Sequence, residues 1–194
     1  MAQHRPHEEG VIVPRKGKND PDLGPDAVMA MVPSDLAHLK LRTNARKVPF
    51  ADGGLYGLYR TGAKATVDMA IAGPFIGAPH AVMGMEKLIA LGASRIWVLG
   101  WCGSLQSDLR IGNMVIPVWG IPEEGISGHY PLEHGEATSD SRLCRCLENQ
   151  LKKKGIPFRK GGIWTTDAVY RETPERFDSM ASGVYWAWIW KPQP

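Results

Sequence analysis

Short apolar runs alternate with longer amphipathic segments along most of the chain. Runs bounded by Gly, Pro or charged residues predict strands at 27–32, 54–60, 64–72, 95–99, 113–118 and 157–164. Apolar residues three and four positions apart predict helices at 80–91, with Val82, Met85, Leu88 and Ile89 on one face, and at 139–154. This alternation predicts an α/β fold in three layers, α/β/α, around a central mixed sheet.

Local signals set the expected ends of these elements. Ser34 or Asp35 is placed to cap a helical turn that follows Pro33 and runs to Leu39. Thr-Thr-Asp at 165–167 is the predicted loop after the last strand. Ligand sites in such folds gather at strand ends, so this loop is one place where chemistry is expected.

Both ends of the chain differ in composition from its middle. Residues 1–25 are polar and rich in Pro, Gly and charge, which predicts a flexible arm that orders only against a neighbour. Residues 26–180 carry the alternating pattern and form the predicted domain. Residues 181–194 are expected to be a separate tail.

The length and charge of the chain narrow the function classes. Its 194 residues suffice for one domain with a substantial core. The 23 Lys and Arg against 20 Asp and Glu give a net charge of +3, and the basic residues are scattered except at 152–154. That run precedes Gly155 and is typical of a helix end, where cations meet exposed carbonyls. The sequence therefore predicts no nucleic-acid partner.

The cysteines and the hydropathy of the chain indicate the cellular compartment in which the protein is expected. Cys102, Cys144 and Cys146 are an odd number of cysteines without metal-ligand spacing. The start of the chain has no apolar signal segment, and no apolar run approaches the length of a membrane span. These features predict a reducing, cytoplasmic setting, no metal site and no membrane association.

A glycine-containing turn follows the strand predicted at 95–99. It reads Gly-Trp-Cys-Gly-Ser at 100–104, and its two glycines let the backbone turn tightly and direct amides toward a ligand. Taken alone, the turn is better explained as a structural feature, because glycine-rich turns after strands are common. Its interpretation therefore depends on the motifs around it.

The order of these motifs resembles one enzyme family. They are Gly-Ala-Pro at 77–79, Glu-Lys-Leu at 86–88, the turn at 100–104, Ile-Gly-Asn-Met-Val-Ile-Pro at 111–117, Ser-Gly-His-Tyr at 127–130, Thr-Thr-Asp-Ala-Val-Tyr at 165–170 and Glu-Arg-Phe-Asp at 175–178. This series, from about residue 27 to 178, resembles the uridine and purine nucleoside phosphorylases and nucleosidases, most of all the uridine-cleaving branch. The resemblance implies a nucleoside phosphorylase-like fold and a homo-oligomer whose sites borrow residues from a neighbour.

The resemblance also implies a reaction and its site. Phosphate would attack the anomeric carbon of uridine or a purine nucleoside while the base leaves, so the enzyme must stabilise an oxocarbenium-like ribose. Inorganic phosphate would be a co-substrate, with no cofactor. The implied nucleoside-binding residues are Trp101, Cys102, Gly103, His129, Asp167, Val169, Tyr170 and Arg176. The implied phosphate-binding residues are Ser34, His38, Gly100 and Arg60, and no catalytic residue is assigned.

Two positions depart from the family pattern at the phosphate site. His38 stands where a phosphate-binding Arg is expected, and Val98 stands at the position of a second Arg. Neither replaces the planar fork of donors with which Arg clamps phosphate. Arg46 or Arg60, supplied across a subunit contact, could partly compensate. Hydrolysis by water therefore remains an alternative to phosphorolysis.

Several candidate residues also have ordinary structural explanations. Cys102 and His129 could form a nucleophile and base, but a small buried thiol is far commoner. Asp167 could stabilise its own loop rather than act as an acid. Arg176 could read a pyrimidine carbonyl, as in uridine-cleaving relatives, or pair with Glu172. Side chains such as Trp97, Trp101 and Trp119 are expected in the core or an interface rather than as stacking platforms.

The tail at 185–194 reads as translation in the wrong frame. Reverse translation from the third base of the Tyr185 codon gives Leu-Gly-x-Asp-x-Glu, in which the four named residues are fixed by the genetic code. The remaining positions permit Gly-Val-Asp-Met-Glu-Thr-Ser-Ala, which resembles the ribose-binding strand of the family. This predicts a truncated or frameshifted domain that lacks its C-terminal strand and helices, and a catalytically inactive product. Alternatively, the three Trp at alternate positions form one face of a strand or a partner surface.

Overall fold

The computed structural model describes residues 10–51, 53–63, 65, 67–130 and 137–181, and the backbone of 186–188. The chain divides into two compact units, Met1–Gly100 and Trp101–Pro194, so the division falls inside the domain predicted at 26–180. Each unit has its own five-stranded sheet.

The first unit alternates strands with two helices. In chain order it contains β1 (Asp26–Ala30), α1 (Pro33–Thr43), β2 (Arg46–Lys47), β3 (Gly57–Arg60), β4 (Ala70–Gly73), α2 (Gly77–Ala90) and β5 (Arg95–Leu99). The strands lie in the order β2-β3-β4-β1-β5. Strand β1 is parallel to β4 and β5, while β3 is antiparallel to β2 and β4. The sheet is therefore mixed.

Strands β1 and β4, both inside this sheet, supply much of its buried core. Ala27 and Met29 of β1 and Ile71 of β4 are completely buried. Their nearly continuous apolar sequences suit strands that are covered on both faces. Gly84 of α2 lies so close to the Phe75 ring that a Cβ there would overlap it, which brings this helix close to the segment after β4.

Two expectations about this unit are wrong. Neither Ser34 nor Asp35 caps α1, because the helix begins one residue earlier at Pro33, after Val32, whose side chain makes no capping hydrogen bond. Proline suits the first helical position since its missing N–H has no partner there in any helix. Strand β5 was expected to be buried, but it lies at the edge of the sheet, and Val98 is 53% exposed.

The segment before β1 is attached to the rest of the first unit, in contrast to the flexible arm predicted at 1–25. Lys87 Nζ donates to Asp20 Oδ2 and to the carbonyl of Arg15, both at 2.8 Å. Asp20 Oδ1 accepts from the amide of Ala51 at 2.9 Å. Leu23 is buried, and its amide donates to the carbonyl of Leu91. Residues 1–9 of the predicted arm lie outside the described residues.

The second unit contains the remaining strands. In chain order they and the helices are β6 (Gly103–Ser104), β7 (Met114–Glu123), β8 (Ala137–Thr138), α3 (Ser141–Lys153), β9 (Phe158–Thr166), α4 (Pro174–Ala181) and β10 (Trp186–Trp188), with 3-10 turns at Ser127–His129 and Val169–Arg171. The strand order is β6-β10-β9-β7-β8. Strand β9 is parallel to β7 and β10, whereas β6 and β8 are antiparallel to their neighbours.

The core of this unit forms around one indole. Trp164 of β9 is 1% exposed and packs with Leu105, Trp119 and Met180. Helix α3, predicted at 139–154, begins at Ser141 after a polar cap, since Asp140 Oδ1 accepts from the amides of Arg142 and Leu143. Strand β9 continues to Thr166, so the loop predicted at 165–167 begins only at Asp167.

The predicted α/β fold with mixed sheets is confirmed, but the strands form two sheets rather than one central sheet. In the tail, residues 186–188 form a strand, as the alternative explanation of the alternating Trp pattern predicts. The rest of the tail, 182–185 and 189–194, lies outside the described residues. Within the described part of the chain, no helix is long and apolar enough to cross a membrane.

Candidate active site

Several chain segments meet at the carboxyl edge of the second sheet. Strands β7, β9 and β10 are parallel, and their last residues are in register, with Glu123 opposite Thr166 and Trp188 opposite Thr165. Strand β6 runs in the opposite direction and begins toward the same edge, with Gly103 opposite Ala187. The segments after β7 and β9 and the turn before β6 are therefore neighbours, in the position where α/β sheets bind ligands.

Asp167 ties two of these segments together. Its Oδ2 accepts a hydrogen bond of 2.9 Å from the amide of Gly125, which follows β7. The carboxylate thus fixes the loop after β7 to the end of β9, and it does so across two loops rather than within its own. This contact supports the structural explanation of Asp167.

The neighbouring loop is closed by Glu124. Its Oε2 accepts from the amides of Ile126 and Ser127 at 2.7 and 3.0 Å, and its Oε1 accepts from the Ser127 hydroxyl. Burial opposes the charged form, but these hydrogen bonds outweigh it and lower the pKa of Glu124 below its ordinary value. Glu124 is therefore a charged acceptor that shapes the turn leading to His129.

A second carboxylate, Glu123, holds Arg176. Glu123 Oε1 accepts from Arg176 Nη2 at 2.9 Å, and Glu123 Oε2 accepts from Trp164 Nε1 at 2.8 Å. Arg176 therefore pairs with Glu123 and not with Glu172, the partner considered from the sequence. Sequence reasoning missed Glu123 altogether, because the strand predicted at 113–118 continues to Glu123 in the structure.

The other predicted nucleoside-binding residues also lie in the second unit. Gly103 pairs within the sheet as part of β6, and the adjacent Trp101 is 44% exposed. His129 is exposed in the 3-10 turn after Glu124. Val169 and Tyr170 lie in the 3-10 turn after β9, where Tyr170 is almost fully exposed. Gly103 pairs with Ala187 at this edge, Asp167 contacts the loop after β7, and Arg176 contacts the end of β7.

Residues 25–186 match the family model described as the Phosphorylase superfamily. The chain belongs to this family.

Curated relatives are similar to this chain over part of their length. The chain is 31% identical over 111 residues to a guanosine phosphorylase of Halorubrum lacusprofundi, in a match that covers 57% of this chain and 46% of that protein. It is 30% identical over 111 residues to a uridine phosphorylase of Haemophilus influenzae, covering 57% and 43%. The chain thus spans less than half the length of these two relatives.

Solved structures agree in fold at low sequence identity. A purine nucleoside phosphorylase from Toxoplasma gondii superposes with a TM-score of 0.78 at 18% identity, over 95% of this chain and 75% of that one. A uridine phosphorylase from Vibrio fischeri gives 0.78 at 18%, over 90% and 74%. An AMP nucleosidase from Bacteroides thetaiotaomicron gives 0.70 at 18%, over 86% and 67%.

The residues implied for phosphate binding in this phosphorylase superfamily member all lie in the first unit. Ser34 and His38 are exposed on α1, and Gly100 directly follows β5. Arg60 Nη2 donates to Asp68 Oδ2 at 2.7 Å, and its Nη1 donates to the carbonyl of Asp22 at 3.2 Å. Both ends of the Arg60 guanidinium are therefore engaged within the unit.

Cys102 is not set up as a nucleophile. It is partly buried, and burial raises the pKa of its thiol above the ordinary value, so the thiolate is disfavoured at neutral pH. Among the described residues, no hydrogen bond joins Cys102 to His129. The structural explanation of Cys102 is the better supported one.

We expect iodoacetamide at pH 7 to modify Cys102 at least about tenfold more slowly than the exposed Cys146, because Cys102 is less accessible and burial raises the pKa of its thiol. Peptide mass spectrometry of a time course measures both rates in one sample, and modification of the unfolded chain in urea is the reference. Faster modification of Cys102 than of Cys146 in the native protein would revive the nucleophile hypothesis.

Proposed function

We propose that the chain acts as a nucleoside phosphorylase that cleaves the N-glycosidic bond of uridine or of a purine nucleoside. The carboxyl edge of the second sheet is the observation that carries the proposal. There Asp167 fixes two loops to each other, and Arg176 is held while its side chain is still half-exposed. Membership of the superfamily and the names of the matched relatives, guanosine phosphorylase and uridine phosphorylase, support it.

In the proposed reaction, an oxygen of inorganic phosphate forms a bond to the anomeric carbon as the bond to the base breaks. The bonding electrons leave with the base, so negative charge develops on its carbonyl groups. Arg176 would donate to such a carbonyl and stabilise this charge, as preorganised donors do in a transition state. Phosphate is the co-substrate, and no cofactor takes part in this scheme.

The proposed ribose-binding part of the site involves the tail at 185–194. Strand β10 places the backbone of 186–188 beside β9, in register with Ile163 to Thr165. In the alternative frame these codons encode Leu-Gly-x, so the Asp-x-Glu that follows would begin at the carboxyl edge. We therefore propose that the DNA encoding 185–194 holds the ribose-binding segment in another frame.

Hydrolysis on the same scaffold is the second candidate function, and the phosphate-site residues favour it. Val98 cannot hydrogen-bond an anion through its side chain, and Arg60 is engaged with Asp68. Water in place of phosphate would give free ribose and base. The homo-oligomer, with residues shared between neighbouring copies, and the cytoplasmic setting stay predictions.

Base release from uridine, inosine and adenosine, with and without phosphate, tests both functions. When the reading frame of the tail is restored, we expect slow release from uridine with weak phosphate dependence. A Val98→Arg variant of that restored chain should show phosphate dependence at least about tenfold stronger, since Arg supplies a forked anion donor. Tight, saturable phosphate dependence that this substitution leaves unchanged would show that another group holds the anion. Absence of base release from a folded chain would support the third possibility, a catalytically inactive product.

A further inference from the structure

Glu123 joins side chains from two other elements at the carboxyl edge of the second sheet. One carboxylate oxygen accepts from Arg176 of α4 and the other from the indole of Trp164 of β9. Trp164 is 1% exposed and belongs to the core of the unit, so it is a rigid anchor. Because both oxygens accept hydrogen bonds, the orientation of the Glu123 carboxylate is fixed. The carboxylate in turn fixes the direction from which Arg176 is held.

Arg176 keeps donors for a ligand while it is held in this way. A guanidinium has five N–H donors in a planar fork, and Glu123 accepts from one nitrogen of that fork. The Arg176 side chain is still 49% exposed, whereas Glu123 is 24% exposed. The cation is thus accessible, and its carboxylate partner is the more buried member of the pair.

We propose that Glu123 is a positioning residue that presets Arg176 to accept bases with a carbonyl group at C4 of a pyrimidine or at C6 of a purine, an inference that rests on the nucleoside function proposed above. A guanidinium that is already oriented loses less side-chain entropy when a ligand binds. The negative charge of Glu123 offsets part of the positive charge of Arg176, so the pair attracts a free anion such as phosphate less than an unpaired arginine would. Its N–H donors match the carbonyl of uracil or a 6-oxopurine, whereas the amino group of cytosine or adenine presents donor to donor.

Uracil and cytosine test this inference, because they differ where uracil has a carbonyl and cytosine an amine. Their dissociation constants are measured with the intact chain by titration in 15N-edited NMR, which tolerates weak affinities. We expect the parent to bind uracil more tightly than cytosine. Glu123→Gln should weaken uracil binding about tenfold and leave cytosine binding nearly unchanged, since only the carbonyl depends on the orientation of Arg176.

The same spectra separate positioning from a general structural role. The indole N–H signal of Trp164, assigned with Trp164→Phe, should move in Glu123→Gln while most other signals stay. Arg176→Gln should weaken uracil binding by itself, and adding Glu123→Gln should then have little further effect, because Glu123 acts through Arg176. Asp108→Asn is the matched control, since it removes the negative charge from an arginine–carboxylate pair of equal length, 2.9 Å, formed with Arg159 in the same unit.

Each other outcome contradicts a distinct statement. If the parent binds neither base, the proposed nucleoside function fails and this inference fails with it. If the parent binds uracil but Glu123→Gln keeps its affinity, the function stands and the role of Glu123 is wrong. Equal weakening of both bases, or additive losses in the double variant, would show that Glu123 merely stabilises the fold.

Discussion

Asp20→Ala should lower the free energy of unfolding of the first unit by about 3 kcal/mol, because it leaves the Lys87 ammonium buried without its counterion. The side chains of the pair are only 4% and 9% exposed, and their N–O distance is 2.8 Å. Urea unfolding followed by circular dichroism measures the loss. A double variant, Asp20→Ala with Lys87→Met, should recover part of it, since no charge then remains buried.

Asp22→Ala is the control for this prediction. Asp22 pairs with Lys16, but its side chain is 84% exposed, and such surface ion pairs contribute little to stability. Equal losses for Asp20→Ala and Asp22→Ala would mean that the buried pair contributes no more than an ordinary surface contact.

Acid should weaken the same contact in a defined range. The hydrogen bond from Lys87 is the main cause that lowers the pKa of Asp20 from 3.8 to about 2, with help from the amides of Gly17 and Ala51 and against the opposing effect of burial. A carboxyl whose pKa is lower in the folded state stabilises it fully above its unfolded pKa. This stabilisation should disappear as the pH falls from about 4 to about 2. Asp20→Ala should therefore show a shallower loss of stability with acid over that range.

Inserting one nucleotide directly before the Tyr185 codon should raise the rate of base release from uridine by about a hundredfold or more. The insertion shifts translation into the frame that encodes Leu-Gly-x-Asp-x-Glu and supplies the Glu expected to grip the ribose hydroxyls. A charged hydrogen bond made in the transition state contributes on the order of 3 kcal/mol, which corresponds to about a hundredfold in rate. The measurement is base release with phosphate present, for both reading frames.

The control for the frame change is the same insertion with the restored Glu codon altered to encode Gln. It should remove most of the gain without altering the rest of the new segment. High activity in the original chain, with no gain after insertion, would establish 185–194 as authentic sequence. The nucleotide sequence at these codons gives an independent answer.

Local patterns predicted the elements of this fold better than their surroundings. Helices α2 and α3 follow from apolar spacing, which is a property of neighbouring residues. The exposure of Val98 does not, because an apolar strand has the same sequence at the centre of a sheet and at its edge. The division of the strands into two sheets depends likewise on pairing between distant segments.

The candidate site divides in the same way. The motif order located Gly103, Asp167 and Arg176, which the structure brings to one edge of the second sheet. Glu123 could not be assigned from the sequence, because its two partners are 41 and 53 residues away. Glu172 was considered as a partner of Arg176 because it is near in the chain. The contact that Arg176 makes, with Glu123, depends instead on the pairing of strands in the sheet.

The division at Gly100 has a consequence for how the chain folds during its synthesis on the ribosome. In the part of the chain that the structure describes, the strands of the first sheet precede residue 100 and the strands of the second follow it. The N-terminal half can therefore complete its hydrogen-bonded ladder while the C-terminal half is still being synthesised, as domains that fold as units do. A change of reading frame at the Tyr185 codon would therefore alter a segment that is synthesised after the first unit has been able to form its core.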